Sequence, residues 1–125
     1  MQIVSKTLQS AKIKISCRDF GSIVKDAKKG DFVYFDPPYQ PISDTANFTS
    51  YTHRDFTEDD LERLADLANQ LNSKGCKVML SNSNSKTVKK LFSSGWAIKE
   101  IKANRSINSN SQKRTGHKEI IIKNY

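Results

Sequence analysis

FVYFDPPY, residues 32–39, is the stretch that decides the fold class. FVYFD (32–36) is a nearly continuous apolar run, which predicts a strand buried on both faces of a parallel sheet. Two prolines then end the strand, because proline has no N–H to donate to a strand ladder. The simplest interpretation of the DPPY that follows is a turn in which Asp36 caps the next residues. The alternative is a small clamp for a planar ring that carries an amine.

Short apolar segments alternate with amphipathic ones along the rest of the chain. The further predicted strands are KIKIS (12–16), KVMLSN (77–82), AIKEIKA (97–103) and EIIIKN (119–124). Helices are predicted at residues 22–28, 57–75 and 85–95. Residues 40–56 and 104–117 are polar and lack periodicity, which indicates loops. The pattern predicts an α/β sheet whose last two strands have no helix between them.

Length and charge point to one domain with a polyanionic partner. The chain has 125 residues and a formal net charge of +8, and a chain of this size can bury a core without disulfides. Residues 1–30 carry seven basic and two acidic side chains, and residues 99–125 carry the same numbers. Basic ends favour nucleic acid or an anionic surface as partner, although surface lysines also serve solubility.

Membrane and metal classes find no support in the sequence. No window approaches the roughly 18 apolar residues of a membrane span, and we expect no membrane partner. Cys17 and Cys76 are far apart, and His53 and His117 lack partners at ligand spacing. We therefore expect two reduced thiols, a cytoplasmic location and no metal site.

The residues after the strand at 32–36 carry a specific chemistry. Ligands of open α/β sheets bind outside the carboxyl ends of the strands. Asp36 and the exposed carbonyl of Pro37 can each accept a hydrogen bond from one exocyclic amine, and Tyr39 can stack on the ring that bears it. Two acceptors on one NH₂ direct its lone pair towards an electrophile. This arrangement suits the alkylation of an aromatic amine.

DPPY after an apolar strand resembles the motif of amino-group methyltransferases that modify adenine N6. GDFVYFDPPYQPISDTANFTSY (30–51), with LSNSN (80–84) and NRSINSN (104–110) in the same order, is similar to the Dam-type DNA adenine methylases. The resemblance covers the chain from about Cys17 to the C-terminus. It implies a Rossmann-like methyltransferase fold, S-adenosylmethionine as cofactor and double-stranded DNA as substrate. The family's sheet order is 3-2-1-4-5-7-6, and the segments present here match strands 3, 4, 5, 6 and 7.

The resemblance also assigns expected site residues. Asp36, Pro37, Pro38 and Tyr39 match the catalytic motif that holds the flipped base, while Asp19, Phe20 and Asp36 match positions that border the cofactor. The expected DNA contacts are Asn47, Thr49, Ser50, Tyr51, Arg105, Ser106, Asn110, Lys113 and Arg114. A solvated polar loop is the alternative for these last residues.

The family's glycine-rich cofactor loop has no counterpart, since no two of the five glycines lie within five residues of each other. We therefore expect residues 1–125 to be a partial catalytic domain, with 1–11 a remnant of the DNA-recognition segment. Without strands 1 and 2, the strand at 32–36 would have an open edge that recruits a missing N-terminal part or a second copy. The alternatives are an inactive remnant, a DNA- or partner-binding module, or methylation of another amine such as cytosine N4.

Overall fold

The computed structural model of the protein describes residues 2–10, 12–40, 56–102 and 118–125. The helices in these ranges are α1 (Gln2–Leu8), α2 (Ile23–Asp26), α3 (Glu58–Ser73) and α4 (Lys86–Leu91). The strands are β1 (Phe32–Phe35), β2 (Lys77–Ser83), β3 (Ala97–Lys102) and β4 (Lys118–Lys123). A 3₁₀ turn at Phe20–Ser22 precedes α2.

The four strands form one mixed sheet in the order β1-β2-β4-β3. β1 pairs with β2 in parallel, whereas β4 lies antiparallel to both β2 and β3. The predicted α/β sheet with a final antiparallel pair is therefore confirmed. The order is also the one expected for strands 4, 5, 7 and 6 of the resembled family. It places the carboxyl ends of β1 and β2 side by side.

Helix α3 packs on one face of this sheet because its sequence supplies both a cap and an apolar stripe. The Thr57 side chain accepts a hydrogen bond from the backbone N–H of Asp60, and the Asp60 carboxylate accepts one from the N–H of Thr57. The buried side chains of α3 are Leu61, Leu64, Ala65, Leu67, Ala68 and Leu71. Four of them, Leu61, Ala65, Ala68 and Leu71, belong to one core cluster with residues of β2, α4 and β4. Gly75, at φ +82°, follows the helix in a conformation that favours glycine.

The predicted strand at 12–16 does not form. This segment has no regular secondary structure, and Ile13 and Ile15 are 39% and 73% exposed. The reason is that a strand is stable only beside a partner, and β1 is the edge of the sheet that the structure describes. Apolar β-branched residues alone therefore did not suffice to make KIKIS a strand.

The prediction that the strand at 32–36 is buried on both faces is also wrong for this structure. Val33 and Phe35 pack against the core, but Phe32 and Tyr34, on the opposite face, are 57% and 50% exposed. Helices α3 and α4 contribute to the core on one side of the sheet only. We call the side that carries Phe32 and Tyr34 the open face.

The remaining elements differ from prediction in their ends. Helix α4 stops at Leu91 and α2 covers only Ile23–Asp26, so both are shorter than expected, while α1 was not predicted. The predicted loops at 40–56 and 104–117 fall almost entirely outside the described residues. None of the helices in the described ranges is long and apolar enough to span a bilayer.

Candidate active site

Asp36 lies where β1 ends, beside the last residues of β2. The parallel register pairs Phe35 with Leu80, so the next residue along each strand, Asp36 and Ser81, are also neighbours. The Ser81 hydroxyl donates a hydrogen bond to Asp36 Oδ1 over 2.8 Å. The register of the sheet thus brings a buried hydroxyl, 4% exposed, to an exposed carboxylate.

A second hydroxyl extends this contact. Tyr34 Oη donates to Ser81 Oγ over 3.1 Å, so Tyr34, Ser81 and Asp36 form one hydrogen-bonded chain. The other carboxylate oxygen, Asp36 Oδ2, makes no hydrogen bond with any residue that the structure describes. An ionised carboxylate is an acceptor only. Asp36 can therefore accept a hydrogen bond from an incoming N–H group.

Two prolines follow Asp36, after the last residue of β1. Pro37 is half-buried and Pro38 is exposed. Neither has an N–H group, which fits the end of β1 pairing at Phe35. Within the described ranges the Pro37 carbonyl accepts no hydrogen bond. It remains available as a second acceptor near the Asp36 carboxylate in the chain.

Tyr39 is held from the far side of β2. Its hydroxyl donates to Glu119 Oε2 on β4 over 3.3 Å, and its side chain is half-buried. Burial raises the pKa of the Tyr39 phenol above its ordinary value of 10.0. A hydrogen bond with Ser81 opposes this shift, while the negative charges of Glu119 and Asp36 add to it. Tyr39 is therefore a neutral, anchored ring at physiological pH.

The backbone that follows Tyr39 is fixed to β2 at both of its polar groups. Gln40 N–H donates to Asn82 Oδ1 over 3.1 Å, and Ser83 Oγ donates to the Gln40 carbonyl over 2.5 Å. Asn82 Oδ1 also accepts from the N–H of Ser83 over 2.8 Å. Asn82 is fully buried, and its Nδ2 has no partner among the residues described. The segment 36–40 is thus hydrogen-bonded to the end of β2 at its first residue, Asp36, and at its last, Gln40.

The two further residues expected at the cofactor, Asp19 and Phe20, contact α3 and the residue before it, Phe56. Asp19 Oδ1 accepts a hydrogen bond from Gly21 N–H over 2.9 Å and forms an ion pair with Arg63. The Arg63 guanidinium lies 4.5 Å from the centre of the Phe20 ring, which also lies against Phe56. These contacts anchor the 3₁₀ turn to the helix. Of the predicted cofactor residues, only Asp36 belongs to the hydrogen-bond network at the end of β1.

The nine expected DNA contacts, at residues 47–51 and 105–114, lie outside the described residues. Conversely, the structure adds site residues that the sequence did not single out: Tyr34, Ser81, Asn82, Ser83 and Glu119. A signal existed for three of them, since SNS ends a buried strand with polar residues. Glu119 gave no signal, because its place depends on β4 lying beside β2.

Comparison of the sequence with known proteins identifies the family. Residues 1–107 match the model of the D12 class N6 adenine-specific DNA methyltransferases. The chain is 46% identical over 125 residues to the type II methyltransferase M1.LlaDCHI of Lactococcus lactis subsp. cremoris, covering 100% of this chain and 44% of the relative. It is 45% identical over 124 residues to the type II methyltransferase M.MjaIII of Methanocaldococcus jannaschii, covering 98% and 42%.

A DNA adenine methylase of Vibrio cholerae is 37% identical over 106 residues, with 84% of this chain and 38% of the relative covered. The chain therefore spans less than half the length of these curated relatives. The resemblance found in the sequence is confirmed by these matches.

Proposed function

Because the chain belongs to the D12 class of N6 adenine-specific DNA methyltransferases, we propose that it is the C-terminal part of such an enzyme. Its reaction is the transfer of a methyl group from S-adenosylmethionine to adenine N6 in double-stranded DNA. Residues 1–125 are then a partial catalytic domain with an incomplete Rossmann-like sheet, and residues 1–11 are the end of a recognition segment. The observation that supports this best is that hydrogen bonds to Ser81 and Glu119 hold Asp36 and Tyr39 at the carboxyl end of β1.

The proposed catalytic role of this segment is to hold the target amine. Asp36 Oδ2 and the Pro37 carbonyl accept the two N–H groups of adenine N6, and the Tyr39 ring stacks on the flipped base. Pro38 keeps Pro37 extended, so that its carbonyl stays exposed. S-adenosylmethionine supplies the methyl group from its sulfonium. Methyl transfer to N6 would break the C–S bond, leave its electron pair on sulfur and release one proton from N6 to solvent, while Asp36 and Pro37 hold the amine in place.

The cofactor and DNA contacts divide between this chain and the rest of the enzyme. In this proposal Asp36 borders the place where the methyl donor meets the amine, and its Oδ2 accepts no hydrogen bond from the residues that the structure describes. Asp19 and Phe20 lie near the cofactor's adenine in this proposal, although the Asp19 carboxylate is already paired with Arg63. The loops at residues 47–51 and 105–114 are proposed to contact DNA, as the basic ends of the chain favour.

Substitution of Asp36 tests the proposal in a methyltransferase that contains this chain. We expect Asp36→Ala to lower the single-turnover rate of methyl transfer by roughly 100-fold or more, since a misplaced amine is a poor nucleophile. DNA affinity, measured by fluorescence anisotropy, should stay nearly unchanged because Asp36 contacts no phosphate in this mechanism. Asp66→Ala, an exposed acidic position on α3, is the matched control and should keep full activity.

Two results would overturn the proposal. An Asp36→Ala enzyme that methylates at the wild-type rate would show that DPPY is only a turn. A wild-type protein that binds DNA and never transfers a methyl group would favour a non-catalytic binding module.

A further inference from the structure

The hydrogen-bonded chain of Tyr34, Ser81 and Asp36 has a direction. Ser81 has one hydroxyl proton, and Asp36, when ionised, can only accept it. The lone pairs of Ser81 Oγ are then left to accept from Tyr34 Oη, at 3.1 Å. Ser81 also contacts the Tyr39 hydroxyl, but its single proton is given to Asp36, because the hydrogen bond to an ionised carboxylate is charge-assisted.

We propose that Ser81, supported by Tyr34, is a positioning residue that fixes the rotation of the Asp36 carboxylate so that Oδ2 receives the amine. This rests on the proposed function, because Ser81 can act in this way only if Asp36 binds the amine. An exposed carboxylate turns freely about its χ angles in water. A donor at 2.8 Å on one oxygen restricts that rotation and determines where the other oxygen lies.

Ser81 suits this role because it lies on a strand that is paired on both sides, not on the edge strand β1. Ser81 lies on β2, which is paired on both sides, with β1 and with β4. It is 4% exposed, whereas Asp36 and Tyr34 are exposed. The hydroxyl is thus carried by a strand that is paired on both sides, and it donates to an exposed carboxylate. A buried hydroxyl is costly unless it is bonded, and here it both donates and accepts.

Loss of this hydroxyl should affect orientation more than folding. In Ser81→Ala, water can bond the exposed Asp36 and the half-exposed Tyr34 in place of Ser81, and Tyr39 keeps its hydrogen bond to Glu119, so the free energy of unfolding changes little. The amine, however, then meets a carboxylate with several orientations. Catalysis that depends on placement is sensitive to displacements of about 1 Å, which can lower a rate by about 100-fold.

The test is a double-mutant cycle in a methyltransferase that contains this chain, with single-turnover rates at saturating DNA and cofactor. We expect Ser81→Ala to lower the rate by about 10- to 100-fold and Tyr34→Phe by about 3- to 10-fold. The double variant should be no slower than Ser81→Ala within about twofold, because both substitutions break the same chain. Ser81→Thr keeps the hydroxyl and should restore most of the rate. Ser94→Ala, at an exposed position after α4, is the control.

A readout that does not depend on activity accompanies the cycle. In the 125-residue chain, NMR three-bond couplings of the Asp36 β-protons should indicate one χ1 rotamer. In Ser81→Ala they should indicate averaging among several.

The outcomes separate this inference from the proposed function. If Asp36→Ala abolishes transfer while Ser81→Ala stays within threefold of wild type, the positioning role is wrong and the proposed function stands. Additive effects of Tyr34→Phe and Ser81→Ala would also overturn it, as would Asp36 couplings that Ser81→Ala leaves unchanged. If Asp36→Ala is fully active, both proposals fail together.

Discussion

At the scale of single residues, burial and nearby negative charges both keep the phenol of Tyr39 neutral. Its hydroxyl donates to Glu119, and burial is the main cause that raises its pKa. Glu119 and Asp36 both place negative charge near the oxygen, which disfavours a phenolate. A neutral phenol keeps its proton, so Tyr39 can go on donating the hydrogen bond to Glu119 that orients its ring.

The pH dependence of Tyr39 follows from this shift. Its pKa is raised in the folded protein, so its contribution to stability is fully present below the ordinary value of 10.0 and is lost as pH rises through the higher folded value. A phenolate absorbance titration of wild type minus Tyr39→Phe should show Tyr39 ionising above pH 10. Glu119→Gln should lower that midpoint, because it removes a nearby negative charge. A Tyr39 midpoint at or below 10 would contradict this account.

At the scale of elements, α3 is the long helix that packs against the sheet. Its capping box satisfies N–H groups that the first turn of a helix otherwise leaves unpaired. Leu61 and Leu71, ten residues apart on its apolar stripe, are both fully buried in the core shared with β2 and β4. The stability of the core that α3 shares with β2 therefore depends on how stable α3 is.

Removal of this cap should destabilise the fold without changing the site. We expect Thr57→Ala to lower the free energy of unfolding by about 1 kcal/mol, the usual cost of losing a threonine N-cap. Thr87→Ala, an exposed position inside α4, loses no cap and serves as the matched control. Urea unfolding measures both. Equal stability of the two variants would show that the Thr57–Asp60 contact contributes nothing.

At the scale of the whole molecule, β1 combines an edge with the open face. Among the described strands it pairs with β2 alone, so the backbone groups on its other side have no ladder partner in those residues. Phe32 and Tyr34 expose about half of their side chains on the open face beside that edge. An exposed edge with apolar side chains tends to recruit another chain.

We therefore expect the isolated chain to self-associate through β1. Phe32→Lys should shift sedimentation velocity profiles towards the monomer, because it puts a charge on the open face at no cost to the core. Gln70→Lys adds the same charge on the exposed side of α3 and should leave the association unchanged. A wild-type chain that stays monomeric at high concentration, or equal effects of the two variants, would be evidence against an associating edge.

The sequence by itself determined the features that depend on neighbouring residues. Thr57 and Asp60 are three positions apart, so the start of α3 could be read locally, and the prolines after Phe35 marked the end of β1. The motif DPPY with its flanking segments also identified the family correctly. Such features follow from backbone geometry and side-chain chemistry within one or two turns of the chain.

Only the tertiary structure decided the contacts that join distant residues. Ser81 and Asp36 are 45 positions apart and Tyr39 and Glu119 are 80 apart, so their pairing required the register of β2 with β1 and with β4. The same reason explains the two wrong predictions about strands. KIKIS has strand-forming residues, but no strand of the described sheet lies beside it. FVYF has the apolar residues of a strand buried on both faces, but helices pack against only one face of the sheet. Strand formation and burial depend on what lies alongside, and that information is not local to the segment.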